Sequence, residues 1–231
     1  GAGNTADIMG VEDYTLGGGN DTVIDDSANN TVNMGAGDDI FRITDGFGAD
    51  TVHGGDGGEV VGDLIDGSAI TPDVVVTFTA DGEGTFTDGT DTLTFEGIER
   101  VATGAGNDSI DAGSGDDVIR GGEGNDLVRG GAGHDYVFGG ADDDYLLGDF
   151  GNDRIYGGAG DDRLKGGFGS DIVIGGNGDD ILKGGRGDDR LNGSNGFDLL
   201  YGNSGDDLLR GGDNRDSLYG GTGDDKLNGS G

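Results

Sequence analysis

From Thr103 to Asn228 the chain divides into fourteen consecutive nonapeptides without an insertion or deletion. GGAGDDRLK (157–165) and GGNGDDILK (175–183) are representative. The sixth position is Asp in all fourteen, and the eighth is always Ile, Val or Leu. A fixed short period constrains the fold more than any local motif, because no single unit buries enough surface to stand alone. Only the stacking of successive units does.

Each position has a physical reading. The first five residues are rich in Gly, which tolerates positive φ and lets backbone approach closely, so they read as a tight turn. The last three alternate around the aliphatic eighth residue. In a strand, a period of two sends that residue to one face and its neighbours to the other. Each nonapeptide is therefore expected to be a turn plus a very short strand, with two nonapeptides completing one coil. Strands of successive coils stack in parallel ~4.8 Å apart, giving two sheets back to back with the aliphatic residues between them. The expected fold is all-β, a parallel β-solenoid.

Composition narrows the chemistry. Of 231 residues 57 are Gly, and 47 Asp and Glu face 13 Lys and Arg, a formal charge of −34. Composition alone would describe a disordered acidic chain; the strict order of the repeat overrides it. The charge argues against nucleic acid and anionic membranes, whose phosphates would be repelled. No stretch approaches the ~18 apolar residues of a membrane span. With no Cys there is no thiolate chemistry, and the two His residues, His53 and His134, are too far apart in sequence for a zinc-protease motif. No nucleophile–base pair is evident, so the chain reads as non-enzymatic.

The Asp column points to a cation. Stacked coils place like charges above one another, which is unfavourable unless something neutralises them. One aliphatic residue in nine is a small core to set against that repulsion. The available groups are carboxylates and turn carbonyls, an all-oxygen set that suits calcium better than magnesium. The candidate ligands are Asp108, Asp117, Asp126, Asp135, Asp144, Asp153, Asp162, Asp171, Asp180, Asp189, Asp198, Asp207, Asp216 and Asp225. Seven turns on each edge leave room for up to about twelve ions between them. Both His residues are read as surface residues, since calcium prefers oxygen.

This pattern resembles the Gly-Gly-x-Gly-x-Asp-x-U-x repeat of the RTX (repeats-in-toxin, hemolysin-type) calcium-binding proteins. The resemblance implies a right-handed β-roll with calcium between turns of one edge, held by turn carbonyls and the sixth-position Asp. It further implies a secreted bacterial protein, exported by a type I apparatus, that folds on meeting extracellular calcium. An adhesive or structural subunit of a surface layer or filament is the alternative, with self-association or a cell-surface partner; an accessory module of an extracellular enzyme is another. Five residues depart from the pattern: Asp142 and Asn214 replace the fourth Gly, while Asp149, Ser194 and Asn203 replace the second. The sites touching Asn214 are expected to be the weakest.

Three segments are expected. Residues 1–70 carry degenerate repeats of a shorter roll, with Asp21, Asp39 and Asp50 in the sixth position, Asn30 replacing it once, and a two-residue slip at Ile43-Thr44. Residues 71–102 read as strands in hairpins, an insertion or cap. Residues 103–231 form the regular roll and stop at the opening of a further repeat, so a longer array is expected. Nine of the basic residues fall at positions seven or nine, beside several aromatics, so the sheet faces are basic and the turns acidic. Those large outward residues suit either an interface or the shielding of a thin sheet.

Overall fold

The computed structural model describes residues 5–7, 13–55, 62–80 and 82–229, so Ser230 and Gly231 of the expected further repeat lie outside it. The chain separates into two units, Gly1–Gly113 and Ser114–Gly231. The regular elements of both are strands, with no helix among the described residues.

In the second unit, strands Val118–Glu123, Tyr136–Ala141, Arg154–Ala159, Ile172–Asn177, Arg190–Asn195, Leu208–Asp213 and Lys226–Asn228 form one sheet. Strands Leu127–Ala132, Tyr145–Phe150, Arg163–Phe168, Ile181–Arg186, Leu199–Ser204 and Ser217–Thr222 form the other. All pairing is parallel, Ile119 beside Val137 and Val128 beside Leu146, so two nonapeptides make one coil as the period requires. From Ile119 to Leu209 every eighth-position residue is at most 2% exposed. The all-β parallel solenoid with two stacked sheets is therefore the fold of this unit.

The strands are longer than the sequence suggests. Each but the last, Lys226–Asn228, runs through positions seven to nine and on through the first three of the next repeat, six residues in all, as in Val118–Glu123. The turn shrinks to positions four to six. With no Cβ in the way, the glycines stay in the ladder, and Gly122 pairs with Gly140. Positive φ is confined to positions two and four: Gly176 has φ 130°, and the carbonyl of Gly158 in the preceding coil would lie closer than 3.0 Å to a Cβ there. The five departures from the glycine pattern are the five non-glycine residues with positive φ among those described. At 74–86° they lie in the left-handed region, whereas the positive-φ glycines of this unit, from Gly115 to Gly223, lie at 105–147°.

In the first unit, one sheet runs in the order Thr5–Asp7, Thr22–Ile24, Ile40–Thr44, Leu64–Ala69 and Arg100–Ala102. The other holds Asp13–Thr15, Thr31–Asn33, Thr51–His53, Thr92–Glu96, Glu83–Thr87, Val75–Ala80 and Ser109–Asp111. Thr31 pairs with Thr51, twenty residues on, which is the two-residue slip appearing as a wider coil. The last four strands of that second sheet begin with an antiparallel meander, Thr92–Glu96, Glu83–Thr87 and Val75–Ala80. Its outer strands pair in parallel with Thr51–His53 and Ser109–Asp111. Three strands thus stand where a regular coil would place one. Buried aromatic rings fill the space beneath: Phe47 meets Phe86 edge-on at 5.8 Å, and Phe78 meets Phe95 at 4.9 Å.

Gly176 and Ser194 are partners in adjacent coils at the second position of their repeats. Gly176→Ala should lower stability by more than ~2 kcal/mol, since it adds both a positive-φ penalty and a backbone collision. Ser194→Gly should change it by less than ~0.5 kcal/mol, relief of left-handed strain offsetting the added freedom of the unfolded chain. Thermal unfolding of the two variants checks this; equal losses would contradict it.

Candidate metal centre

The sixth-position aspartates of the second unit form two columns, one on each edge of the roll. Along one, the backbone N–H of Asp117 donates to Oδ1 of Asp135, Asp135 to Asp153, Asp153 to Asp171, and so on through Asp189 and Asp207 to Asp225, at 2.8–3.0 Å. Along the other, Asp126, Asp144, Asp162, Asp180, Asp198 and Asp216 are linked in the same way at 2.9–3.1 Å. Each turn amide, which has no strand partner, is thereby satisfied by the carboxylate of the next coil. The aspartates from Asp117 to Asp207 are at most 2% exposed.

The two oxygens of each carboxylate are not equivalent. Oδ1 takes the amide; Oδ2 of Asp135, Asp144, Asp153, Asp162, Asp171 and Asp180 is buried without a hydrogen-bond donor, as it is in Asp189, Asp198, Asp207 and Asp216. A Cβ on the first-position glycine of the same repeat would come within 3.0 Å of this oxygen, as at Gly139 with Asp144 and Gly175 with Asp180. That glycine is therefore required by space and not by φ, a distinction the sequence does not reveal. Among the described residues no three His, Cys, Asp or Glu side chains gather as a metal cage. Carboxylates arrive one per coil, amid a backbone-rich edge. An enclosed anionic oxygen in such surroundings fits a hard cation such as calcium.

The first unit repeats the device with variations. Asp21 N–H donates to Asp39 Oδ1 and Asp39 N–H to Asp63 Oδ1, both at 2.7 Å, and Asp63 N–H to Glu99 Oε2 at 2.9 Å. Asp63 lies in a stretch whose frame is unclear in the sequence, although the Asp63-Leu64-Ile65 run hints at another copy of the repeat; Glu99 is one methylene longer than the pattern and is no candidate by spacing. Asp50 lies on the other edge, where Oδ1 accepts from Asn30 N–H, and Asp108 accepts from Val74 N–H.

A second ladder runs the opposite way at position five. Asp161 N–H donates to Asp143 Oδ1 and Asp179 N–H to Asp161 Oδ1, each at 2.8 Å. Ten of the fourteen fifth-position residues are Asp or Asn, the signal that could have identified it. His134 belongs to this ladder, its Nδ1 accepting from Asn152 N–H, and His53 pairs with Glu96. Arg100 donates to the Gly62 carbonyl.

Burial, reinforced by neighbouring carboxylates, raises the sixth-position carboxyls: Asp135, Asp144, Asp180 and Asp189 to about 7, and Asp162 and Asp171 to about 6, from 3.8. The bond from the preceding coil's amide opposes the shift without cancelling it. A carboxyl raised on folding contributes stability fully below its ordinary pKa and loses it as pH climbs through the folded value. In excess chelator the far-UV β signal should therefore grow as pH is lowered from about 8 to about 5. A signal that is flat or falls over that window would contradict the burial of these charges.

The family model of the RTX calcium-binding nonapeptide repeat matches residues 14–41, 42–60 and 93–128, and then overlapping stretches from 121 to 231. No curated protein matches the chain. Residues 1–13 and 61–92 are left unmatched, and the second stretch holds the first two strands of the meander, where the nine-residue period is lost. On both sides of it the family pattern accounts for the sequence, and the chain belongs to the RTX calcium-binding nonapeptide-repeat family.

Proposed function

We propose that this chain is a non-enzymatic module that folds on binding calcium outside the cell, as part of a secreted bacterial protein. One observation carries the reading: the run of enclosed, donor-free Oδ2 atoms from Asp135 to Asp216. Each is a negative charge withdrawn from water with nothing to balance it, repeated at every coil. The sixth-position aspartates Asp108 to Asp225, with Asp21, Asp39 and Asp50, would hold calcium together with backbone oxygens of the turns. The regular array has room for up to about twelve ions. Calcium would supply charge neutralisation and crosslink successive turns, and the fold would form where it is abundant. Affinity in the ~10^-4–10^-3 M range of extracellular modules would leave the chain unfolded in a calcium-poor cytosol.

A second reading, a subunit that assembles through its sheet faces, rests on the exposed rings. Phe150 and Phe168, 57% and 45% exposed, stack at 4.9 Å, and Arg186 lies over Phe168 at 5.1 Å. These phenylalanines occupy the third position, which the longer strands turn outward. Calcium-dependent oligomers in light scattering would favour this reading; a calcium-loaded monomer would reject it.

The array itself is tested by two neighbouring columns. Asp171→Asn keeps an acceptor for the Asp153 amide but removes the enclosed charge, so the calcium midpoint of folding, read by circular dichroism, should rise several-fold, on the order of one carboxylate ligand's worth. Asp161→Asn, in the fifth-position ladder where Asn125 and Asn152 already serve as acceptors, should move it less than about twofold. Magnesium at equal concentration should fail to fold the chain, since it demands tight octahedral geometry. Equal shifts for the two variants, or folding in magnesium, would reduce the effect to diffuse charge screening.

A further inference from the structure

In a chain of formal charge −34, the sheet that runs from Leu127–Ala132 to Ser217–Thr222 is basic. Its six strands hold five cations, Arg129, Arg163, Lys165, Lys183 and Arg186, and one carboxylate, Asp149. Arg129 takes that carboxylate at 2.8 Å. The other four cations gather in two neighbouring strands, Arg163–Phe168 and Ile181–Arg186, where Lys165 and Lys183 are direct partners. All four are exposed, and among the described residues none of them is ion-paired. Like charges facing one another across a ladder are unfavourable, and nothing in the folding of a coil calls for them.

The complement lies on an edge of the same kind of roll. At position five Asp143, Asp161 and Asp179 follow one another at one-coil intervals, all exposed, each giving Oδ1 to an amide of the next coil. The next residue in that column is Phe197, 62% exposed, in a position that is Asp or Asn in ten of the fourteen repeats. A ring so exposed adds little to its own coil. On the basic face, Tyr145, Arg163, Leu164, Lys165, Ile181 and Lys183 line a depression of about 180 Å³. A cavity of ~150 Å³ already accepts a benzene ring, so the depression has room for one. The opposite edge differs: its Asp188, Asp206 and Asp224 share a depression with Arg190 and Lys226, which offset their charge.

We propose that the Asp143–Asp161–Asp179 edge of one copy of this chain docks on the Arg163, Lys165, Lys183 and Arg186 face of a second copy, with the Phe197 ring seated in the depression. The proposal rests on the calcium-loaded fold and supplies the second reading above with an occupant for one sheet face. Both surfaces advance by one coil, ~4.8 Å, so two rolls lying side by side keep carboxylates level with cations over successive coils. Phe197 fixes the register, since a column of aspartates alone could slide. An aromatic anchor in a pocket ringed by opposite charge is where interfaces concentrate their affinity and specificity. The contact joins two different patches and is therefore heterologous. Each docked copy still offers a face and an edge, so association continues into an open row of rolls.

The test is sedimentation velocity of the full chain at saturating calcium, with circular dichroism reporting the fold of every sample. The unaltered protein should form oligomers that lengthen with concentration and come apart toward 1 M salt, where screening acts within about 3 Å. A face variant, Lys165→Gln with Lys183→Gln, removes the two paired charges. An edge variant, Asp161→Asn with Asp179→Asn and Phe197→Asn, keeps amide acceptors of the kind that Asn125 and Asn152 already provide. Each variant alone should keep its β signal and need at least roughly tenfold more protein to associate. Mixed in equal amounts, the two should form a pair and nothing larger, because one intact edge and one intact face remain between them. An edge variant that associates like the unaltered protein, or oligomers that salt leaves intact, would overturn the proposal in favour of ring packing between faces. A calcium-loaded monomer at every concentration would also overturn it. Binding of poly-L-glutamate by that monomer, lost in the face variant, would then assign the cations to a foreign polyanion.

Discussion

A carboxylate that accepts the turn amide of the preceding coil is the contact on which the structure turns. The amide of a tight turn has no strand partner, and leaving it buried and unpaired is unfavourable by ~1–3 kcal/mol. Throughout the regular array Asp reaches it and still presents a second oxygen to the interior, a part that Glu99 takes for the Asp63 amide in the first unit. Once Asp153 bonds Asp171, coil length is set, because the acceptor must come from a residue eighteen positions on. The glycine at the first position follows from the space that the second oxygen occupies, and the glycines at the second and fourth from the close passage of neighbouring carbonyls. The aliphatic residue at the eighth position then has only to fill a narrow gap. The same contact makes the roll dependent on what balances those charges.

The two units meet this demand differently. In the second unit no aromatic ring is among the buried residues, and the interior is a single file of Val, Ile and Leu. The first unit buries Phe41, Phe47, Phe78, Phe86 and Phe95, and its meander widens one sheet by two strands over the other. Apolar burial there is of the kind that sustains an ordinary domain, at roughly 1.5–3 kcal/mol for each large side chain. Carboxylate columns are correspondingly broken: Val74 stands where an aspartate would donate to Asp108, and Asn30 stands before Asp50. A larger core goes with fewer aligned charges.

The repeat was legible because it is periodic, and what escaped is whatever periodicity cannot express. Two nonapeptides per coil, the inward eighth residue and the Asp alignment all follow from spacing. The five non-glycine residues at positive φ were identifiable from glycine's absence alone. Strand length was not: a Gly-Gly step looks like a turn until a facing coil is present to pair with it, and Phe150 and Phe168 were hidden from view for that reason. Glu99 escaped because it acts from outside the frame. The unequal roles of the two carboxylate oxygens have no sequence signature, since both belong to the same residue.

The alternation of sheets has a consequence for how such a chain can change length. Consecutive nonapeptides lie on opposite faces, so Phe138 stacks on Tyr156 in one sheet and Tyr201 on Tyr219 in the other. Gain or loss of two repeats leaves every later residue on its own side, and a new coil slips in beneath an unchanged pattern. Gain or loss of one exchanges the sides of everything that follows. The core tolerates this, because the inward column is aliphatic on both sides, and the Asp edges tolerate it for the same reason. The outer surface does not: ring and guanidinium stacks assembled over several coils would be cut and rejoined to the wrong neighbours. Growth by pairs preserves a surface, while growth by a single unit rewrites it without unfolding anything.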